Sequence, residues 1–185
     1  AAARNIGVKR AAGDIVFFTD ADVEVQPDTL SRTAQLFDAD EELTAVIGSY
    51  DDAPGERDFF SQYRNLLHHF VHQHANHQAS TFWTACGAVR RSVFDVLGGF
   101  SPSYKRPTVE DIEFGGRVRD AGGQILLDKT LQVKHLKKWG LRSIVITDMR
   151  DRGFPWSLLL AARCEMPRDL NISLNQRSSV ALSCL

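Results

Sequence analysis

The chain has 185 residues, of which 43% are hydrophobic and 24% are charged, and its formal net charge is −1. Its length suits one domain with its own core, and its composition excludes a disordered or collagen-like chain. Three cysteines make no disulfide framework, and no apolar run reaches the roughly 20 residues that span a bilayer. The sequence starts at Ala1 without an initiator Met, so we expect an internal fragment.

Predicted helices and strands alternate along the first half of the chain. Residues 1–10 are rich in alanine and predict a short helix, and the continuous apolar run at residues 15–19 predicts a strand buried on both faces. Pro27 suits the first turn of a helix that ends near Phe37, because the missing N–H of proline would have no partner there. Residues 45–49 predict a second strand.

The same alternation continues in the second half. Apolar residues at helical spacing predict a long amphipathic helix over residues 57–77. After it we expect an extended segment, two helices and two strands, at residues 81–89, 92–97, 110–121, 124–127 and 131–135. Strands that alternate with helices predict an α/β layered domain with a largely parallel sheet.

The charge and the pattern both change toward the carboxyl end. Residues 14–58 contain thirteen acidic residues and two basic ones, whereas residues 134–168 contain eight basic residues and three acidic ones. One end therefore suits cations and the other suits anions or an anionic surface, although two solvated faces would give the same counts. We divide the chain into an α/β unit at residues 1–139 and a basic amphipathic segment at residues 140–185.

Asp20 and Asp22 form the strongest chemical signal. They follow the predicted strand at residues 15–19, and ligands of open α/β sheets bind beyond the carboxyl ends of the strands. Two carboxylates in such a turn can converge on one hard divalent cation, for which Mg²⁺ or Mn²⁺ is the expected ion. Asp-x-Asp alone is a weak signal, because acidic turn residues are common.

Glu110 and Asp111 stand at the entry to the predicted helix at residues 110–121. Acidic side chains in a first helical turn are favoured by the helix dipole and the free N–H groups, so capping alone explains them. The functional alternative is a general base that takes a proton from a hydroxyl.

Five motifs follow one another over residues 1 to about 139. They are Ala3-Arg4-Asn5-x-Gly7, the run from Asp14 to Asp22, Gly87-x-x-x-Arg91, Gly98-Gly99-Phe100 and Glu110-Asp111. In order and spacing this set resembles glycosyltransferase family 2 of the GT-A fold. The resemblance implies a GT-A-like, Rossmann-like layered α/β sheet with helices on both faces. It also implies that this chain lacks the first strands, which hold the nucleotide base and ribose.

The resemblance further implies an activity, the inverting transfer of a sugar from a nucleotide-sugar donor to a hydroxyl of a glycan or lipid-linked acceptor. In it, Asp22 would bind the metal ion, Mn²⁺ or Mg²⁺, and the donor diphosphate, with Asp20 nearer the nucleotide sugar. Asp111 would be the catalytic base, and Glu110 would stand beside it in the same motif. The cation would neutralise the departing diphosphate.

The remaining site predictions accompany this resemblance. Arg4 and Asn5 would bind the donor. His135 would be a further metal or diphosphate ligand, although a single histidine is more often structural. Three residues would contact the acceptor: Trp83, Gly87 and Trp139. Processive members carry Gln-x-x-Arg-Trp where this chain has residues 135–139, which argues against processive synthesis.

Two further features have competing explanations. Five histidines lie within the predicted long helix, at His68, His69, His72, His74 and His77. They would form the polar side of that helix, a zinc site, or a titratable rim for a phosphorylated or lipid-linked acceptor. Cys86 is expected to be a small buried residue.

Two other functions remain open. Asp20 and Asp22 also resemble the nucleophile loop of haloacid-dehalogenase-like phosphatases, in which Asp20 would attack phosphorus and Asp22 would act as the acid. Asp128 and Lys129 would then supply the later acidic and lysine positions, but their place in the chain suits this poorly. The third possibility is a non-catalytic fragment that binds a sugar nucleotide.

The basic segment after Trp139 combines charges and aromatic residues around an apolar stripe. These residues are Arg142, Arg150, Arg152, Trp156 and Arg163. Such a segment predicts contact with an anionic membrane surface, and its alternative is a terminal helix packed on the domain. We expect a membrane-associated protein on the cytoplasmic face, with no nucleic-acid partner.

Overall fold

The computed structural model describes residues 1–163, so predictions for residues 164–185 lie outside it. The strands are β1 (Ile15–Thr19), β2 (Val23–Glu24), β3 (Leu43–Tyr50), β4 (Cys86–Arg90) and β5 (Gln124–His135). The helices of the α/β unit are α1 (Ala2–Arg10), α2 (Thr29–Ala39), α3 (Phe59–His74), α4 (Arg91–Val96) and α5 (Glu110–Asp120). A continuous helical segment follows, built from α6 (Leu141–Ile146), a π-helical stretch (Thr147–Gly153) and α7 (Phe154–Arg163).

The five strands form one sheet in the order β1-β4-β3-β5-β2. The prediction of a largely parallel sheet is wrong, because only β3 and β5 run parallel and the other three pairings are antiparallel. Between α3 and β4, residues 77–79 lie beside the first half of β5: the Ala79 N–H donates to the Ile125 carbonyl, and the Leu127 N–H donates to the His77 carbonyl. Residues 77–79 thus run antiparallel to β5, in the same direction as the β4 strand that follows them.

The carboxyl-terminal strand of the sheet is a single irregular strand where two were predicted. β5 pairs with β3 on both sides of a register shift, with Leu127 opposite Ile47 and Gln132 opposite Ser49. In the bulge between them, the Asp128 carboxylate accepts hydrogen bonds from the backbone and hydroxyl of Thr130. β5 continues past the bulge to His135, which pairs with Val23 of the edge strand β2.

Helices cover both faces of the sheet, as the fold prediction required. The side chains of β3 are all buried and alternate between two cores, with Ala45 and Ile47 on one face and Val46 on the other. The first core also contains residues of α1, α3, α4 and α5, whereas the second contains Phe37 of α2. A group of phenylalanines fills the first core: Phe18, Phe82, Phe94, Phe100 and Phe114.

Two ion pairs attach the segment 141–163 to the α/β unit. The Asp148 carboxylate accepts two hydrogen bonds from Arg64 of α3, at 3.0 and 2.5 Å. Arg163 forms an ion pair with Asp120 at the end of α5. Within residues 1–163, no helix combines the length and the hydropathy that a membrane crossing needs.

Candidate active site

The Asp20-Ala21-Asp22 turn lies at the carboxyl end of β1. The Val23 N–H donates to the Asp20 carbonyl, and the Asp22 carbonyl accepts from Leu136 at 2.9 Å, which joins the turn to the end of β5. Because Val23 pairs with His135 in the β2–β5 ladder, the Asp22 carboxylate comes to 3.6 Å from His135 Nε2. Residues more than a hundred positions apart in sequence therefore meet at one edge of the sheet.

Two buried neighbours orient the His135 ring. Its Nδ1 lies 2.5 Å from Asn65 Oδ1, an acceptor, so the neutral tautomer with its hydrogen on Nδ1 satisfies this contact and leaves Nε2 free as a ligand. The Tyr50 ring stacks on the imidazole, with ring centres 4.4 Å apart and an angle of 9° between their planes. Burial lowers the pKa of His135, while the Asp22 charge acts in the opposite direction.

The Asp22 and His135 side chains suit a divalent cation. A carboxylate oxygen and a neutral imidazole nitrogen are both metal ligands, and a hydrogen bond to the second ring nitrogen is the usual support of a ligating histidine. Their 3.6 Å separation is short enough for both to reach one ion at ligand distances of about 2.0–2.2 Å. Among residues 1–163 no group of three or more His, Cys, Asp or Glu side chains is arranged to hold a metal ion. The remaining ligands would therefore come from a bound molecule or water.

Arg4 connects the acidic turn with the Glu110-Asp111 motif. Its guanidinium donates to Asp20 at 2.7 Å and to Glu110 at 2.9 Å. The other Glu110 oxygen accepts from the Thr108 N–H at 2.7 Å, and Glu110 is only 2% exposed. Both oxygens of Glu110 are thus occupied by donors, which holds the start of α5 against α1 and the acidic turn.

Asp111 is the carboxylate of this motif that faces open space. One oxygen accepts from the Ile112 N–H at 2.9 Å. Burial, and secondly the charge of Glu110, raise the pKa of Asp111 to about 6. A carboxyl group with a pKa in this range is ionised at neutral pH and still accepts a proton more readily than an ordinary aspartate.

Asp111 lies where two cavities meet. The larger, of about 700 Å³, is lined by Arg4, both aspartates of the acidic turn, and cationic residues of the segment 141–163. The smaller, of about 250 Å³, lies between α3, α5 and the same segment. Four residues line both cavities: Trp83, Thr108, Asp111 and Arg152.

Comparison with known proteins gives the family. Residues 1–98 match the sequence profile of the family described as Glycosyl transferase family 2. The chain belongs to glycosyl transferase family 2. The matched residues include Asp20 and Asp22 and end before Asp111 and His135, so the local geometry is the evidence for the latter two. The search of curated proteins finds no match.

Solved structures share the GT-A-type fold of this family 2 chain. The mannosyltransferase PcManGT from Pyrobaculum calidifontis, in complex with GDP-Man and Mn²⁺, has a TM-score of 0.58 and 22% identity over 82% of this chain and 40% of its own. GalNAc-T7 with UDP, GalNAc and Mn²⁺ has a TM-score of 0.55 and 18% identity, over 74% of this chain and 30% of its own. S. aureus TarS in complex with UDP-GlcNAc has a TM-score of 0.54 and 16% identity, over 74% of this chain and 38% of its own. The family 2 chain thus spans well under half the length of these proteins.

The structure of the family 2 chain brings most of the predicted site residues together. Seven of them line the larger cavity: Arg4, Asp20, Asp22, Trp83, Glu110, Asp111 and Trp139. His135 joins this group through Asp22. Trp139 is buried, its backbone N–H donates to the Ser61 hydroxyl, and the Lys137 ammonium lies 4.2 Å from the centre of its ring.

Asn5 and Gly87 lie apart from the cavities. The Asn5 amide exchanges two hydrogen bonds with the backbone of Phe100, at 2.8 and 3.0 Å, and so fixes the loop after Gly98-Gly99. Gly87 packs under Trp83, where an added Cβ would stand 2.3 Å from the Trp83 carbonyl oxygen. Their predicted contacts with donor and acceptor stay predictions, and the structure gives each a packing function.

The five clustered histidines, four on α3 and His77 after it, divide into two sets. His68 and His72 line the smaller cavity, whereas His69, His74 and His77 contact backbone carbonyls. Within residues 1–163 no three ligating side chains converge, so the zinc hypothesis has no ligand set here. Cys86 is buried, as predicted, and burial raises the pKa of its thiol to about 12.

Three functional side chains were missed by sequence reasoning, namely Tyr50, Asn65 and Arg152. The first two act through His135 from distant positions, for which the sequence holds no local signal. The sequence pattern predicts Arg152 on a membrane-facing surface, but in the structure it lies in the π-helical stretch and lines both cavities. The sequence does contain a signal for the π-helical stretch. Apolar residues recur every four positions from Leu141 to Met149, but Phe154 follows Met149 after five, which indicates one extra residue in the helix.

The phosphatase alternative is not supported by this geometry. Asp128 pairs with Arg32 and bonds to Thr130 within the β5 bulge, and neither Asp128 nor Lys129 lines the cavity that contains Asp20. Asp20 itself is held by Arg4. The family match also points away from phosphate-ester hydrolysis.

Proposed function

We propose that this chain carries out the inverting transfer of a sugar from a nucleotide-sugar donor to a hydroxyl acceptor, with Asp111 as the general base. The observation that carries the proposal is the position of Asp111 between a cavity that contains the acidic turn and a second cavity beside it. Single in-line displacement needs the base and the leaving group on opposite sides of the reacting carbon. A carboxylate between two cavities suits that requirement.

The larger cavity is the proposed donor site. Asp22 and His135 would hold Mn²⁺ or Mg²⁺ there, and the bound cation would neutralise charge on a departing diphosphate. Lys137 and Arg152 also line this cavity and would add positive charge around a diphosphate. The ligands named for PcManGT and GalNAc-T7, which include a nucleotide and Mn²⁺ in both cases, support this choice of donor and ion.

Asp111, rather than Glu110, is the proposed proton acceptor. Glu110 already accepts from Arg4 and the Thr108 N–H, so its charge is compensated and its orientation fixed. Asp111 has a raised pKa and a free oxygen toward the cavities, and it would take the proton of the attacking hydroxyl. Glu110 would contribute as a positioning residue, through Arg4 and through its charge beside Asp111.

The test is Asp111→Asn in the purified protein, with GDP-mannose, UDP-GlcNAc and UDP-GalNAc as donors and Mn²⁺ present. Removal of the base should lower transfer by about 10²–10⁴-fold while calorimetric donor binding persists. Asp95→Asn, at an exposed position of α4, is the matched control and should keep full transfer. Loss of donor binding in Asp111→Asn would contradict the base assignment. Donor binding without transfer in the unsubstituted protein would favour a non-catalytic role.

We also propose that the segment 141–163 lies on an anionic membrane surface, at the cytoplasmic face. Five apolar side chains form an exposed stripe along it: Leu141, Val145, Met149, Phe154 and Leu158. Arg142 and Arg150 of the same segment are exposed, as basic residues are in interfacial helices that bind anionic lipids. Sedimentation with vesicles should increase with the fraction of anionic lipid and fall in Met149→Glu. Sedimentation that does not respond to lipid charge would remove the proposal.

A further inference from the structure

The smaller cavity has a position that suits a second substrate. Its walls include Trp83 and Asp111, which it shares with the larger cavity, and Trp156, which it does not. Its volume of about 250 Å³ lies just below the range of roughly 300–1,000 Å³ that is typical of sites for drug-sized ligands. A single sugar ring is therefore the size of ligand that it fits.

The charges around the smaller cavity cancel. Two cations and two anions line it: Arg64, Arg152, Asp111 and Asp148. The Arg64 guanidinium and the Asp148 carboxylate neutralise each other in a two-bond ion pair. The cavity thus presents no excess of positive charge for a phosphate or carboxylate group.

His68 and His72 add polarity without adding charge. Burial lowers the pKa of His68 well below its ordinary range and that of His72 to about 4, so both rings are neutral at pH 7. His72 is 5% exposed, and its Nδ1 has no hydrogen-bond partner among residues 1–163. The cavity is therefore lined by two neutral imidazole rings, and a neutral imidazole is a group that can pair with hydroxyls.

Aromatic side chains make up much of the remaining wall. Phe82, Trp83 and Trp156 line it, and the Trp83 ring stands edge-on to His72 with centres 4.7 Å apart. Sugar rings present apolar C–H faces between their hydroxyls, so aromatic surfaces beside neutral hydrogen-bonding groups match both parts of a sugar. A phosphate group would match neither.

We propose that the smaller cavity binds a neutral sugar unit at the end of the acceptor, and that its hydroxyl faces Asp111. The proposal rests on the proposed function, since it names the acceptor class of the same site. His72 and Trp156 are its specificity residues. An uncharged sugar is accepted, whereas sugars that carry phosphate or carboxylate groups are rejected because their charge would remain uncompensated.

The experiment is saturation-transfer difference NMR on the purified protein, with and without Mn²⁺ and UDP or GDP. The neutral probes are methyl glucoside, methyl mannoside and N-acetylglucosamine, and the charged probes are glucose 6-phosphate and glucuronic acid. At least one neutral probe should bind, and the charged probes should bind at least tenfold more weakly. Trp156→Ala and His72→Phe should each weaken neutral-probe binding by tenfold or more, and Trp156→Phe should restore most of it.

Phe70→Ala is the matched control, because Phe70 is an exposed aromatic residue of α3 that lines neither cavity. Equal or stronger binding of the charged probes, or neutral-probe binding that Trp156→Ala leaves unchanged, would overturn the proposal, as would the absence of neutral-probe binding. Donor binding with Mn²⁺ is measured separately. If donor binding fails while neutral sugars bind through Trp156, the proposed function fails and the assignment of the cavity stands.

Discussion

Replacing His72 with phenylalanine removes a buried base whose protonation opposes folding. Burial lowers the pKa of His72 from 6.5 to about 4, so in acid the unfolded chain takes up a proton that the folded chain refuses. Stability is therefore present above pH 6.5 and is lost as the pH falls toward 4. The full loss is about 3 kcal/mol, of which about 2 kcal/mol has occurred by pH 5, since each pKa unit is worth about 1.4 kcal/mol.

Urea unfolding of the unsubstituted protein and of His72→Phe, at pH 7.5 and pH 5, measures this loss. The difference in the free energy of unfolding between the two proteins should shift by about 2 kcal/mol in favour of the variant at pH 5, or about 4–8 °C in Tm. His74→Phe, at an exposed position of the same helix, is the control, because the burial that causes the effect is absent there. Parallel pH dependences of the unsubstituted protein and His72→Phe would refute the reasoning, and with it the neutral state of the ring in the cavity.

Two further predictions concern the reacting end of the site. Asn65→Leu removes the acceptor of the His135 Nδ1–H and should weaken Mn²⁺ binding about 10- to 100-fold, measured by calorimetry without donor. Asn65→Asp, which keeps an acceptor oxygen, should retain the affinity, and equal affinities of both variants would argue against this function of Asn65. The pH profile of kcat/KM should show an acid limb near pH 6, because Asp111 must be ionised to accept a proton. In Glu110→Gln this limb should move to lower pH, since the neighbouring charge that raises the Asp111 pKa is gone, and a limb that stays in place would contradict the assignment.

Local sequence patterns were sufficient to predict the position of the acidic turn and the first residue of α5. The run at residues 15–19 is a strand followed by Asp20 and Asp22, and α5 begins at Glu110 as expected, because strand burial and helix entry leave signals in adjacent residues. The family resemblance placed these pieces on one sheet, and the sheet with helices on both faces confirms that fold class.

The direction of β4 could not be predicted from its sequence. A strand buried on both faces reads as a continuous apolar run whichever way it points, so the pattern of β4 does not carry its direction. The contacts through which Glu110 and Asn65 position other side chains could not be predicted from the sequence either. Each is a long-range contact, to Arg4 and to His135 respectively, and such contacts exist only once the sheet is assembled.

The π-helical stretch at residues 147–153 has a consequence for how relatives of this chain diverge. It places one extra residue between the part of the segment that meets Arg64 and the part that carries Trp156. A relative that lacked this residue would have α7 rotated by about 100° relative to α6, the angle that separates successive residues of an α-helix. Trp156 would then leave the smaller cavity while Asp22, His135 and Asp111 stayed in place. A single insertion or deletion could thus change the preferred acceptor during evolution and leave the chemical machinery untouched.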